Sequence, residues 1–298
     1  MSRQLDSPLD PEWMDPPLQS LSPFERFAVR LVGRMNRGRW QGFWFWFQRQ
    51  VAPRWISWLY RHRLEVHGLE HVAATSRERP LLIAVNHRTL FDLFIVMAVL
   101  FRGLPGWREI LFPVRGRFFY QSIAGLLVNF VAAWWAMYPP FFHTVRKRRF
   151  DQYALHLLVV KCREGPGRLI GYHPEGTRNR SPDPYRLLPG QPGIGRLMLE
   201  ARPLVVPVFM AGLSNSATTE LRGAAWRRGE PVRIWFGPAL DYSALLDQPP
   251  IAETYRRAAE AVMGAIRQLA EADRARCREG ERSPSAPARS ADGLPGAY

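Results

Sequence analysis

The 298 residues are 47% hydrophobic, 12% aromatic and 22% charged. That is enough apolar content for one large core or two small ones, and too much for a wholly disordered chain. Lys and Arg number 41 against 26 Asp and Glu, a net charge of +15, which points to an anionic partner: nucleic acid, an acidic membrane surface or a phosphorylated substrate. Only Lys147 and Lys161 are lysines, so the positive charge is almost all arginine. Cys162 and Cys277 cannot build a disulfide framework and suit a reducing, cytosol-facing compartment.

Residues 1–23 carry Asp6, Asp10, Glu12 and Asp15 among prolines. No basic segment leads into an apolar one there, so a cleaved signal peptide is not expected and the segment is expected to be disordered. Residues 24–63 hold nine arginines against Glu25 alone, with Trp40, Phe43, Trp44, Phe45, Trp46 and Phe47 in their middle. Aromatics sit well at a lipid–water boundary and arginines attract anionic headgroups. Arg39, Arg49, Pro53 and Arg54 interrupt any run long enough to span a bilayer. The expectation is an interfacial helix or helical hairpin, with a helix pair packed on the rest of the protein as the alternative.

From residue 64 strands and helices alternate. LEVHG (64–68), PLLIAVN (80–86), EILFPV (109–114), PLVVPVFMAG (203–212) and VRIWFG (232–237) read as strands, and RLIGYHPE (168–175) as a strand running into a turn. Residues 90–102, 150–165, 193–201 and 251–271 read as helices. The alternation predicts an α/β domain over 64–271 with a largely parallel central sheet flanked by helices. Residues 272–298, rich in Pro, Ser and Arg, are expected to be a disordered tail. The uncharged stretch 118–142 is long enough to cross a bilayer. The two polar loops described next lie on either side of it, so a single crossing would separate them. It is therefore expected to dip into one leaflet or to pack as a buried helix, ended by Pro139-Pro140.

Ligands on such sheets gather beyond the carboxyl ends of strands. There the chain reads Asn86-His87-Arg88-Thr89-Leu90-Phe91-Asp92. On a regular helix His87 and Asp92 would lie on different faces. They meet only if His87 precedes the helix and Asp92 opens it, a placement compatible with a capping box from Thr89 to Asp92. A carboxylate on one imidazole nitrogen orients the other as a general base; the bland alternative is a plain helix cap. A second loop, Tyr172-His173-Pro174-Glu175-Gly176-Thr177-Arg178, contains a tight turn in which Gly176 takes positive φ and Arg178 offers a planar fork for phosphate oxygens.

Together, Asn-His-x4-Asp and Pro-Glu-Gly-Thr-Arg resemble the glycerolipid acyltransferases of the lysophosphatidic acid acyltransferase (1-acylglycerol-3-phosphate acyltransferase) family, over about residues 64–241. The resemblance extends to the strands LEVHG, VVPV and VRIWFG. It implies transfer of an acyl group from acyl-CoA or acyl carrier protein to a hydroxyl of a phosphate-bearing lipid, in phospholipid biosynthesis or remodelling. It further implies His87 as base, Asp92 as its partner, and Glu175, Gly176, Thr177 and Arg178 as acceptor-binding residues. The family's middle motif, a short apolar run ending in Arg, is matched to residues 139–149, with Arg146 its arginine and Arg148 or Arg149 as alternatives. His173 departs from the family, which carries Phe there.

A thioester is already activated, so neither a covalent acyl-enzyme nor a cofactor is required, and no Gly-x-Ser-x-Gly elbow is present. No metal is called for; His62, His67 and His71 are not expected to form a site. Helix-turn-helix, zinc-finger and RNA-binding signatures are lacking, so nucleic acid is not the expected partner. The expected setting is the cytoplasmic face of a membrane. The alternative reading is a non-catalytic peripheral protein that binds anionic lipids.

Overall fold

The computed structural model describes residues 17–75, 78–104, 106–107, 109–133 and 137–282. After a 3-10 turn at Leu18–Ser20 come three helices, α1 (Pro23–Met35), α2 (Gly38–Gln50) and α3 (Ala52–Tyr60). Strand β1 (Leu64–His67), α4 (Leu69–Ala73), β2 (Leu81–Val85) and α5 (Asp92–Gly103) follow. Next are β3 (Glu109–Leu111), β4 (Val114–Arg115), α6 (Gly116–Phe119), α7 (Ile123–Ala133) and β5 (Pro140–Phe141). The chain continues through α8 (Arg148–Arg163), β6 (Arg168–Tyr172), α9 (Pro192–Ala201) and β7 (Leu204–Ala211). It closes with α10 (Ala217–Ala225), β8 (Val232–Phe236), α11 (Ser243–Leu246) and α12 (Ala252–Arg282).

Six strands form one sheet in the order β1-β8-β7-β2-β6-β3, every pairing parallel except β7 with β8. The continuous apolar run of β2 is explained by its central place: all five residues are buried, as befits a strand covered on both faces. Alternation sorts them. Leu81, Ile83 and Val85 join a core shared with α1, α3 and α5, while Leu82 and Ala84 join one built with α9 and α12. The result is a three-layer α/β sandwich. Gly171 of β6 lets α5 approach closely, because a Cβ there would meet Leu93 and Met97 at 2.6 Å.

The structure corrects several expectations. Residues 24–63 are not a separate segment: Ala28, Val29 and Val32 of α1 and Ala52, Ile56 and Tyr60 of α3 belong to the main core. Order at the N-terminal side begins before residue 24, since Leu21 is buried and Ser22 caps α1 in a reciprocal box with Glu25. EILFPV is not one strand. It breaks at Phe112-Pro113 into β3, in the main sheet, and β4, which pairs with β5.

The tail boundary at 272 is also wrong, because α12 runs on to Arg282. Asp273 explains the extension. It is fully buried and accepts from Arg233 at 2.8 Å, the Trp235 indole at 2.8 Å and the Tyr185 hydroxyl at 2.9 Å. The expectations for 1–16 and 283–298 lie outside the described residues.

The stretch 118–142 is interrupted at Tyr120–Ser122, between α6 and α7. Among the described residues no helix is long and apolar enough to cross a membrane. Helix α7 is two-sided. Asn129 is buried and donates to the Phe119 carbonyl at 3.1 Å, whereas Ile123, Leu127, Phe130 and Val131 are exposed. Phe130 meets Trp44 and Phe47 of α2, which in turn exposes Trp40, Phe43 and Trp46. Two adjacent helices thus turn rows of large apolar side chains to solvent.

Candidate active site

The parallel order of β2, β6 and β7 brings their carboxyl ends to one edge, and the two polar loops emerge side by side there. Asn86 seals the end of β2 against β7. Its amide nitrogen donates to the Met210 carbonyl at 3.0 Å and its amide oxygen accepts the Met210 N–H at 2.7 Å. His87 follows in the loop, and Asp92 is the first residue of α5.

His87 Nδ1 lies 3.0 Å from Asp92 Oδ2. The same oxygen accepts the backbone N–H groups of Arg88 at 2.7 Å and Thr89 at 2.9 Å. Only half of the expected capping box forms: the Thr89 hydroxyl is buried without a hydrogen-bond partner among the described residues, and Phe91 takes the cap position. Burial, the largest effect, raises the Asp92 carboxyl to about 6, opposed by His173 and the two backbone donors. Burial lowers the His87 imidazole to about 3, helped by the charges of Arg178 and Arg115. At neutral pH the pair is therefore carboxylate and neutral imidazole. Asp92 accepts, so Nδ1 carries the proton and Nε2 presents its lone pair. The His87 side chain keeps 20% of its surface exposed, against none for Asp92.

The second loop is stitched to the first. Asn179 N donates to the His87 carbonyl at 2.7 Å, and Arg88 donates to the Ser181 carbonyl at 2.8 Å. The His173 ring stacks on the His87 ring and hydrogen-bonds through Nδ1 to the Val85 carbonyl at 2.9 Å. Gly176 has φ +66°, and its N–H closes the turn on the His173 carbonyl at 3.0 Å. A side chain there would be strained and would meet Gln191 at 2.8 Å.

Of the sequence-predicted residues, His87, Asp92, Glu175, Gly176, Thr177 and Arg178 converge on these two loops. Arg178 stands close enough for its charge to act on His87. Glu175 is placed differently from the expectation: it is 1% exposed, with its carboxylate turned to the backbone N–H groups of His87 and Leu188. Arg146 is not joined by any described contact to either loop. It lines a cavity of about 540 Å³ with Ser20, Ser22, Phe24, Glu25, Gln121, Thr144 and Lys147.

The residue that sequence reasoning missed is Arg115, at the end of β4. Its guanidinium donates to the Thr177 hydroxyl at 3.4 Å, and its charge reaches His87. The signal was available, since EILFPVR is itself an apolar run ending in arginine.

His87, Asp92 and His173 are also near enough to be tested as a metal site. They do not fit one. The two rings are stacked 3.8 Å apart and only 12° from parallel, so their in-plane lone pairs cannot converge on one ion. The Nδ1 atom of each ring is already committed, that of His87 to Asp92 and that of His173 to Val85.

An oriented neutral imidazole with an exposed edge, flanked by two guanidinium groups, is equipped to take a proton from a hydroxyl borne by an anionic molecule. The chain belongs to the acyltransferase family, whose model matches residues 63–211, half of the chain. Among solved structures it is similar to PlsC, the 1-acyl-sn-glycerophosphate (LPA) acyltransferase from Thermotoga maritima. The two are 17% identical with a TM-score of 0.48, over 84% of this chain and 95% of that one. No curated protein matches the chain.

Proposed function

We propose that this acyltransferase moves a fatty acyl group from a thioester, acyl-CoA or acyl carrier protein, to the free hydroxyl of a phosphate-bearing lyso-lipid such as 1-acylglycerol 3-phosphate. His87 Nε2 takes the hydroxyl proton as the oxygen attacks the thioester carbonyl. The tetrahedral intermediate collapses by breaking the carbon–sulfur bond, and the departing thiolate recovers the proton from the imidazolium. Asp92 holds the ring and stabilises its charged form. Arg178 and Arg115, with Thr177 and the backbone of Gly176, receive the acceptor's phosphate. No acyl-enzyme forms and no cofactor takes part.

The observation that carries this reading is the His87–Asp92 contact beside two arginines whose charges act on the ring. The reaction takes place at a membrane surface, a placement supported by the exposed aromatic and aliphatic rows of α2 and α7. Mass spectrometry of products from a mixed pool of lyso-lipids and several thioesters tests it. An esterified phosphate-bearing lipid is expected. Lipid binding without ester formation would instead make the chain a non-catalytic peripheral protein.

A further inference from the structure

The same short turn carries an arginine whose charge reaches the His87 ring and a glutamate whose carboxyl turns to the main chain. Glu175 spends both carboxylate oxygens on the main chain: Oε2 accepts the His87 N–H at 3.4 Å and Oε1 the Leu188 N–H at 3.3 Å. The His87 carbonyl is held from the same loop by Asn179 N at 2.7 Å. Both main-chain polar groups of His87 are thus gripped by the loop after β6. With both oxygens turned to main-chain N–H groups, the side chain has none left to face a phosphate. Its burial, at 1% exposure, leaves no surface for a ligand to touch.

We propose that Glu175 is a positioning residue that fixes the main chain of His87 against the loop 173–179, and that it is not a ligand of the acceptor's phosphate. The proposal rests on the acyl-transfer reading. Because the base must meet the hydroxyl at hydrogen-bonding distance, a shift of about 1 Å in His87 costs on the order of 10²-fold in rate without weakening phosphate binding.

The test is a kinetic comparison of Glu175→Gln with Arg178→Lys in the full chain, both checked by thermal unfolding. In Glu175→Gln one oxygen becomes an NH₂ group facing a backbone N–H, so one grip is lost. The expected result is a kcat lower by about 10²-fold with acceptor KM nearly unchanged, and the opposite pattern for Arg178→Lys. Glu175→Asp, which keeps the charge but withdraws it by one methylene, serves if the Gln variant does not fold. A large rise in acceptor KM with kcat retained, or no change in either constant, would overturn the proposal. The imidazole ¹⁵N signals of His87 give a reading independent of activity: they should move or broaden in the variant, and unchanged signals count against the proposal. If the wild-type protein transfers no acyl group, the acyl-transfer reading fails while those signals still decide the role of Glu175.

Discussion

The imidazole rings of His87 and His173 lie face to face, their centroids 3.8 Å apart and their planes 12° from parallel. Both are held neutral, pushed down to about 3 chiefly by burial. In the unfolded chain each would take a proton near 6.5, so over the interval between, the unfolded state binds more protons. Each histidine therefore lowers stability as pH falls from about 6.5 towards 3. Asp92, raised to about 6, and Glu175, raised to about 7, act in the opposite sense. His173→Phe isolates one contribution: its melting temperature relative to wild type should rise as pH is lowered from about 6.5 to 4. A difference that stays constant with pH would contradict the buried neutral state of His173.

Loss of the base should be severe. His87→Ala is expected to lower turnover by about 10³-fold or more while the unfolding transition persists. Asp92→Asn should approach the same loss, because a neutral amide oxygen in place of Oδ2 cannot stabilise the imidazolium, and the NH₂ group would replace the buried Oδ1, which has no hydrogen-bond partner among the described residues. Steady-state kinetics beside circular dichroism check both, and substantial activity in His87→Ala would end the mechanism.

Phosphate recognition should be divided between two arginines distant in sequence. Arg178→Lys and Arg115→Ala are each expected to raise acceptor KM about tenfold with a smaller effect on kcat, the cost of one lost charge-assisted contact. Arg146→Ala, in its separate cavity, should leave acceptor KM nearly unchanged. A KM that responds to Arg146 and ignores Arg115 would reverse the assignment.

The apolar rows of α2 and α7 should govern attachment to lipid. Replacing Phe43, Trp46 and Leu127, all exposed, by Ser removes side chains worth about 1.5–3 kcal/mol each when buried. Sedimentation with anionic vesicles should show binding reduced by at least about 10²-fold, with activity on detergent-dispersed lyso-lipid preserved. Undiminished sedimentation would place the lipid contact elsewhere.

Removing the Asp273 carboxylate leaves Arg233 without its buried partner, so Asp273→Ala should cost about 3–5 kcal/mol by chemical denaturation. Truncation after residue 271 should be at least as damaging, and truncation after 282 harmless. Equal stability of the two truncated chains would show that the extension of α12 contributes nothing.

The central strands and the two polar loops were legible because their information is local. An uninterrupted apolar run in β2 and the separation of His87 from Asp92 both follow from a few adjacent residues. What escaped depends on pairing across the chain. A helix ending near 271 was a fair reading of a polar, arginine-rich sequence, yet Asp273 finds Arg233 and Trp235 on β8 and keeps α12 ordered. The role of Arg115 was hidden for a related reason: it requires the break at Phe112-Pro113 that sends β4 away from the main sheet to pair with β5. The orientation of Glu175 was not legible because the resemblance marks a residue as important without saying which way its side chain turns.

Asn86 has a wider consequence. Its side chain imitates a peptide group, giving and receiving one hydrogen bond with Met210 just past the last rung between β2 and β7. Aspartate would set an oxygen where the amide NH₂ stands, lone pair against the Met210 carbonyl, and serine is too short to do both jobs. The first letter of the motif is thus a clasp rather than a reagent: it keeps two strands from fraying at the point where the chain must leave the sheet and aim an imidazole.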